Sequence, residues 1–197
     1  MTAPDTAEQD RSDMTALVAG HGAALNDLMA RHGERLFHYL IRQLQNEEDA
    51  ADLAQETFAR VYQHRARFDG RQKFSTWLYT IATNLVRDRF RWRARHPQVS
   101  LDAEDAVTGH SLRERMAGKD ALPDESLQAA ERGEQVRRAV AALPEELRTP
   151  LILAEYEERS QSEIADILDC SVKAVEMRLY RARQSLRAEL EQWMGKL

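Results

Sequence analysis

The sequence predicts an all-helical protein with two small domains, an N-terminal helical bundle and a C-terminal helix-turn-helix domain, joined by a flexible linker. Apolar residues recur at intervals of three and four from about residue 17 to 95 and again from about 128, as in amphipathic helices. Eight glycines and five prolines in 197 residues are too few for a fold rich in tight β-turns. Residues 97–127 lack this periodicity, are acidic, and are typical of a linker. The predicted segments are therefore 1–16, 17–96, 97–127 and 128–197.

The N-terminal segment, 1–16, is acidic and polar, which predicts disorder. An apolar stripe then begins at Leu25 and continues to Ile41, which predicts a helix. The next helix follows Asn46, a plausible N-cap, because three acidic residues (Glu47, Glu48 and Asp49) occupy the first turn, where the helix dipole favours negative charge.

A turn at Asp69-Gly70 separates that helix from one that begins near Phe74, with Ser75 or Thr76 as its expected cap. One face of this helix is apolar. The opposite stripe carries Thr80, Asn84, Arg87 and Arg91. The helix ends in a run of five arginines within nine residues, with Phe90 and Trp92 among them: Arg87, Arg89, Arg91, Arg93 and Arg95.

In the C-terminal domain a helix over 128–143 precedes one that begins near Pro144. Pro150 should bend or locally break this second helix, but the pattern continues past it and predicts one helix. Ser160 and Glu163 have the spacing of a capping box, and Ser171 can cap the helix that follows. Two short helices with a tight turn between them predict a helix-turn-helix, whose second helix fits the major groove of DNA. Its exposed face and flanks are polar and basic: Lys173, Glu176, Met177, Arg178, Tyr180, Arg181 and Arg183. An ordinary helical hairpin with a solvated face is the alternative.

Several classes of function lack the residues that they need. There is no apolar run of membrane-spanning length and no signal peptide, and the single Cys170 fits a reducing compartment, so we expect a cytoplasmic protein. An enzyme would have to use the carboxylates Glu48, Asp52 and Glu56, but no metal-ligand spacing of histidines accompanies them. No phosphate-binding loop or nucleophile motif is present either. The sequence predicts no catalysis, no metal and no cofactor.

The arginine run suggests contact with nucleic acid. Arginines track phosphates, and aromatic rings among them can stack on bases that are unpaired or flipped out. Trp77 lies on the apolar face and is expected in the core, whereas Trp92 lies beyond that face and is the candidate for stacking. The first domain therefore suits melted DNA and the second suits duplex DNA. A conventional helix-turn-helix repressor or activator is the alternative, but it leaves the arginine-rich helix without a role.

Two stretches resemble one family. "DAADLAQETFARVYQHRARFDGRQKFSTWLYTIATNLVRDRFRWR" resembles the second conserved region of bacterial sigma factors of the extracytoplasmic-function (ECF) group. "ALPEELRTPLILAEYEERSQSEIADILDCSVKAVEMRLYRARQSLR" is similar to their fourth region. The resemblance implies an alternative sigma factor, of the kind that serves stress responses, which binds core RNA polymerase and directs promoter-specific initiation under the control of an anti-sigma factor.

The resemblance implies no small-molecule substrate and no insertion into a membrane. It also implies roles for individual residues. Asp52, Gln55 and Glu56 would bind the clamp helices of the largest polymerase subunit, and the C-terminal domain would bind the flap of the second-largest. The minus-ten set would be Phe68, Lys73, Asn84, Arg87, Arg89, Arg91 and Trp92. The minus-thirty-five set would be Lys173, Glu176, Met177, Arg178, Tyr180 and Arg181. Glu176 departs from the family, whose members often have a basic residue there, so it either accepts from a cytosine or repels phosphate.

Overall fold

The computed structural model describes residues 6–96 and 123–194, and all regular structure within them is helical. The all-helical prediction is therefore confirmed. A short 3-10 turn, Arg65–Arg67, follows the third of eight α-helices in these residues. The helices are α1 (Thr6–Val18), α2 (Ala24–Leu44), α3 (Glu47–His64), α4 (Phe74–Arg95), α5 (Pro123–Ala142), α6 (Glu145–Glu155), α7 (Gln161–Leu168) and α8 (Val172–Met194).

The N-terminal segment is helical where disorder was predicted. Within the predicted range 1–16, residues 1–5 lie outside the described chain, and α1 begins at Thr6. Met14 and Leu17 are fully buried, and the carboxylate of Asp10, a residue only 4% exposed, accepts hydrogen bonds from Arg31 and His32 of α2. The prediction of disorder failed because contacts with α2 stabilise this helix, and its own composition does not reveal them.

The first domain follows the predicted order, with one difference at the start of α4. Asn46 caps α3 as expected, since its side chain accepts from the backbone N–H of Asp49 at 2.8 Å. The expected cap of α4 is wrong: the helix begins at Phe74, so Ser75 and Thr76 lie inside its first turn and are buried. Phe74 is buried as well, so the first turn of α4 packs into the core.

The second domain contains the helix-turn-helix. Ser160 and Glu163 form the predicted capping box of α7, and the hydroxyl of Ser171 accepts from the backbone of α8. Asp169 ends α7 in the left-handed conformation, at φ 50°, and so turns the chain sharply into α8. Helix α6 runs unbroken through Pro150, which confirms the prediction of one helix and excludes a break there; proline removes a single backbone donor, and Pro150 lies in a buried stretch whose packing holds the helix together.

The two domains pack on each other. Helix α6 lies against α2, and α7 lies against α4. One apolar core runs through both domains, from Leu17 and Leu36 to Ile152 and Leu179. The linker was predicted to end at residue 127, but α5 begins at Pro123, where a proline suits the first helical position; the rest of the predicted linker, 97–122, lies outside the described residues.

Candidate nucleic-acid interface

The loop before α4 lies at the boundary between the domains. The ring of Phe68 is half-buried and packs on Phe74 and Trp77, with its centroid 5.3 Å from that of Trp77. Trp77 thus belongs with the core, as the sequence predicted. Lys73 is exposed, and its Nζ donates to a carboxylate oxygen of Glu163 on α7 at 2.8 Å. The loop therefore holds Phe68 in place and points Lys73 at the helix-turn-helix.

The five arginines at the end of α4 do not form one surface. Arg89 and Arg93 both turn toward α3 and donate to the carboxylate of Asp49. Arg87 faces the second domain, with Nε 3.5 Å from a carboxylate oxygen of Glu145. Arg91 pairs with Asp88 on the same helix. Their sequence spacing gave the direction of each side chain, but their acidic partners come from three different helices.

An exposed stripe remains on the outer side of α4. Asn84 is exposed, and within the described part of the chain it makes no side-chain hydrogen bond. Arg91 continues the stripe, and the next residue, Trp92, is 47% exposed on its flank. The indole of Trp92 stacks on His96, with centroids 4.8 Å apart and planes 21° apart. Sequence reasoning missed His96, although its place four residues after Trp92 in a helix was a usable signal.

The acidic face of α3 is exposed on the side away from the core. Asp52, Gln55 and Glu56 all lie on this face, and Glu56 accepts from Arg60 at 2.8 Å. Asp49 lies one turn before Asp52 and binds the arginines of α4. Helix α3 therefore presents an exposed acidic face at its centre, where Asp52 has no ion-pair partner in the described chain, and it holds part of the arginine run at its N-terminal end.

Helix α8, the second helix of the helix-turn-helix, exposes the face that the sequence predicted. Val175, Leu179 and Ala182 are buried against α6 and α7, while the opposite face is open to solvent: Lys173, Glu176, Met177, Tyr180 and Arg181. Tyr180 is 60% exposed. Arg178 is the exception in the predicted set, since it is half-buried and its Nη1 donates to Sγ of Cys170 in the turn at 3.6 Å.

A buried polar network joins the domains, and sequence reasoning missed it. The hydroxyl of Tyr79 on α4 donates to Glu157, just after α6, at 2.5 Å. Arg35 and Arg42 of α2 approach the same carboxylate at 3.7 and 3.8 Å. Burial, together with the neighbouring negative charge of Glu157, raises the pKa of Tyr79 well above its usual range, so the phenol stays a donor. No local pattern marks this network, because its partners are 78 positions apart.

The described residues offer neither a metal site nor a membrane span. No three histidine, cysteine or acidic side chains among them converge as metal ligands would. None of their helices is both long and apolar enough to cross a bilayer.

Comparison with known families matches both halves of the chain. The family Sigma-70 region 2 matches residues 28–96, and the family Sigma-70, region 4 matches residues 133–186. The ECF RNA polymerase sigma factor SigW of Bacillus subtilis is 36% identical over 172 residues, which cover 87% of this chain and 91% of SigW. The RNA polymerase sigma-H factor of Pseudomonas aeruginosa is 31% identical over 94% of this chain and 96% of its own.

A solved structure matches the fold across both domains. It is the structure of CnrH in complex with the cytosolic domain of CnrY. The similarity has a TM-score of 0.66 at 28% sequence identity and covers 93% of this chain and 98% of the matched one.

Proposed function

Because this chain belongs to the ECF sigma factors of RNA polymerase, we propose that its two domains hold a promoter at two places while an acidic helix binds the core enzyme. As an alternative sigma factor it directs transcription initiation. We assign each contact with DNA or core polymerase to a different exposed surface of the chain. One observation carries this assignment: the exposed stripe of α4 and the exposed face of α8 are separate surfaces on separate domains.

The first domain, 17–96, is the one that we assign to melted minus-ten DNA. Asn84 offers an amide to the edge of an unstacked base, and its freedom from intramolecular hydrogen bonds in the described chain leaves both its donor and its acceptor available. Arg91 extends the same stripe with a phosphate contact, and Trp92 on its flank offers a stacking platform. Lys73, Arg87 and Arg89 complete the set; like Arg91, each of them is paired with a carboxylate and exchanges that partner for phosphate. Phe68 supports the loop from beneath.

The second domain, 128–197, is the one that we assign to the minus-thirty-five duplex. Lys173 and Arg181 suit phosphate or guanine, and Met177 and Tyr180 suit the methyl group of thymine. Glu176 makes no ion pair within the described chain, so its carboxylate is free to accept from a cytosine amine. We assign Arg178 a structural role, because its hydrogen bond to Sγ of Cys170 links α8 to the preceding turn.

The core polymerase would meet the acidic face of α3. Asp52, Gln55 and Glu56 suit the basic clamp helices of the largest subunit, since complementary charge steers and orients such a contact. The second domain would meet the flap of the second-largest subunit. CnrH was solved in complex with the cytosolic domain of CnrY, which supports a protein partner for this chain too, and we assign that place to an anti-sigma factor. We place the protein in the cytoplasm with its polymerase and assign it no catalysis of its own.

The test is transcription by the purified chain and purified core polymerase from a library of randomised promoters. We expect transcripts from a subset of templates that share two elements, spaced as minus-ten and minus-thirty-five. Core polymerase without the chain is the control. Failure of the chain to associate with core polymerase, or association without any preference among templates, contradicts the proposal. A conventional repressor would bind operator DNA without the polymerase.

A further inference from the structure

The loop before α4 has little burial to hold it in place. Residues 68–73 connect the 3-10 turn to α4 and form neither helix nor strand. Phe68 is half-buried, but residues 69–73 are all exposed. An exposed loop samples many conformations, and each residue that becomes fixed on binding costs conformational entropy. The hydrogen bonds of this loop therefore decide how well it is positioned before DNA binds.

Two hydrogen bonds give the tip of the loop its local shape. The side-chain oxygen Oδ1 of Asp69 accepts from the backbone N–H of Arg71 at 3.0 Å. The backbone oxygen of Asp69 accepts from the N–H of Gln72 at 3.1 Å. These bonds close a turn around Gly70. Because both partners of each bond lie within the turn, they do not fix its orientation on the domain.

A third hydrogen bond joins the tip of the loop to α1. Nε of Arg11 donates to the backbone oxygen of Gly70 at 3.1 Å, across 59 positions of the sequence. Within the described chain, this is the one hydrogen bond that joins residues 69–72 to another element. The described residues also offer Arg11 no carboxylate partner, whereas the cations of the proposed minus-ten set are paired with carboxylates. The carbonyl of Gly70 is thus the acceptor that the fold provides for this guanidinium.

Helix α1 is itself anchored beside Arg11. The neighbouring Asp10 is 4% exposed, and its carboxylate accepts from Nε2 of His32 at 2.8 Å and from Arg31. The ring of His32 in turn packs on Phe74 at the start of α4, with centroids 5.1 Å apart. Helix α1 also lies against the 3-10 turn that precedes the loop. Arg11 therefore projects from a fixed point at which α1, α2 and the start of α4 meet.

The two ends of the loop carry residues that we assign to the minus-ten surface. Phe68 lies at one end, and Lys73 lies at the other and donates to Glu163. Partial burial favours the neutral form of Glu163, but hydrogen bonds from Lys73 and Ser160 outweigh this and lower its pKa to about 2. When Lys73 exchanges this carboxylate for phosphate, the loop loses that support. The bond from Arg11 then remains to orient the tip.

We propose that Arg11 is a positioning residue for the minus-ten contact: it holds the loop at Gly70 and so fixes Phe68 and Lys73 on either side. This inference rests on the proposed function, because it takes those two residues as parts of the DNA surface. Arg11 acts through the backbone of the loop and adds no contact with DNA. A loop that is already positioned loses less conformational freedom when the strand binds, so its affinity for the strand is higher.

The test replaces Arg11 with alanine in the full-length chain. Quenched-flow hydrogen exchange measures opening of the loop at the amides of Arg71 and Gln72, and permanganate reactivity measures open complex with core polymerase. We expect the loop amides to exchange faster and the open-complex equilibrium to fall by about threefold to tenfold, the effect of losing one hydrogen bond. Core association and the urea midpoint should stay at the wild-type values, because the side chain of Arg11 is exposed.

Two further variants separate positioning from charge. Arg11→Lys keeps a donor, since Nζ of lysine reaches at least as far as Nε of arginine, and it should restore most of both readouts. Arg67→Ala is the matched control: Arg67 is an exposed arginine beside the same loop whose side chain makes no hydrogen bond in the described chain. It removes the same charge and should leave loop exchange and open complex unchanged.

The salt dependence of binding distinguishes positioning from a direct phosphate contact. For a labelled single strand and holoenzyme, loss of one phosphate contact would reduce the slope of log affinity against log salt by about 0.7, whereas positioning leaves this slope unchanged. Wild-type loop exchange in Arg11→Ala, a reduced slope, or an equal loss of open complex in Arg67→Ala overturns the inference. Open-complex formation by wild type reports on the proposed function alone, and loop exchange in the free chain reports on the tether alone.

Discussion

Replacing Asn84 with alanine should separate promoter melting from polymerase binding. The side chain is exposed in the middle of α4 and makes no hydrogen bond within the described chain, so its loss removes no intramolecular hydrogen bond there. Alanine has the higher helix propensity, and the free energy of unfolding should rise by about 0.5 kcal/mol. Hydrogen bonds to one base are worth about 1–3 kcal/mol, so the open-complex equilibrium should fall by about 5- to 150-fold.

The assay follows unpaired thymines by permanganate reactivity at a fixed concentration of holoenzyme, and fluorescence anisotropy measures core association separately. Asn26→Ala is the matched control, because Asn26 is an exposed asparagine on α2, far along the chain from the proposed DNA surface. It should change neither measurement. Equal losses of open complex and of core association for Asn84→Ala would refute the assignment of Asn84 to a base pocket.

Three further predictions concern the other surfaces and the stability of the chain. Arg181→Ala should weaken binding of minus-thirty-five duplex by about 5- to 150-fold in a mobility-shift assay, with core association unchanged; full promoter selectivity would count against the assigned face. Asp52→Asn should lower the affinity for core polymerase by about twofold to fivefold at low salt, more than Glu56→Gln, because Glu56 already pairs with Arg60; an equal effect of the two at all salt concentrations would contradict a charge contact. The pKa of Glu163 is lowered to about 2 from an unfolded value near 4.3, so its contribution to stability is complete above about pH 4.3 and is lost as the pH falls toward 2. The free energy of unfolding, measured with urea from pH 5 to 2.5, should fall in wild type and fall less in Glu163→Gln. The same dependence of that free energy on pH in both proteins would contradict the prediction.

Local patterns in the sequence were enough for most of the helices and their caps. The capping box of Ser160 and Glu163 and the N-cap of Asn46 depend on groups three residues apart, so the chain reveals them directly. The exposed face of α8 likewise follows from the helical period. The prediction of disorder for 1–16 failed, since α1 depends on contacts with residues of α2 such as Arg31.

The partners of the charged residues could not be predicted in this way. Sequence spacing indicated that Arg87, Arg89 and Arg91 project from one helix, but not that Asp49 would bind one of them and Glu145 face another. The same limit applies to Lys73, whose acidic partner is 90 positions away. Such pairs exist only after distant helices have docked, and no periodicity within a helix records which helix will lie beside it.

The sequence by itself determined most of the helices, their apolar faces, the helix-turn-helix and the family, because each depends on residue types at short, regular spacing. Only the tertiary structure decided that the two domains close on each other with Glu157 at the centre of their interface. The physical reason is that burial and charge pairing across an interface depend on which surfaces meet in space, and residues far apart in the chain carry no local signal of that meeting.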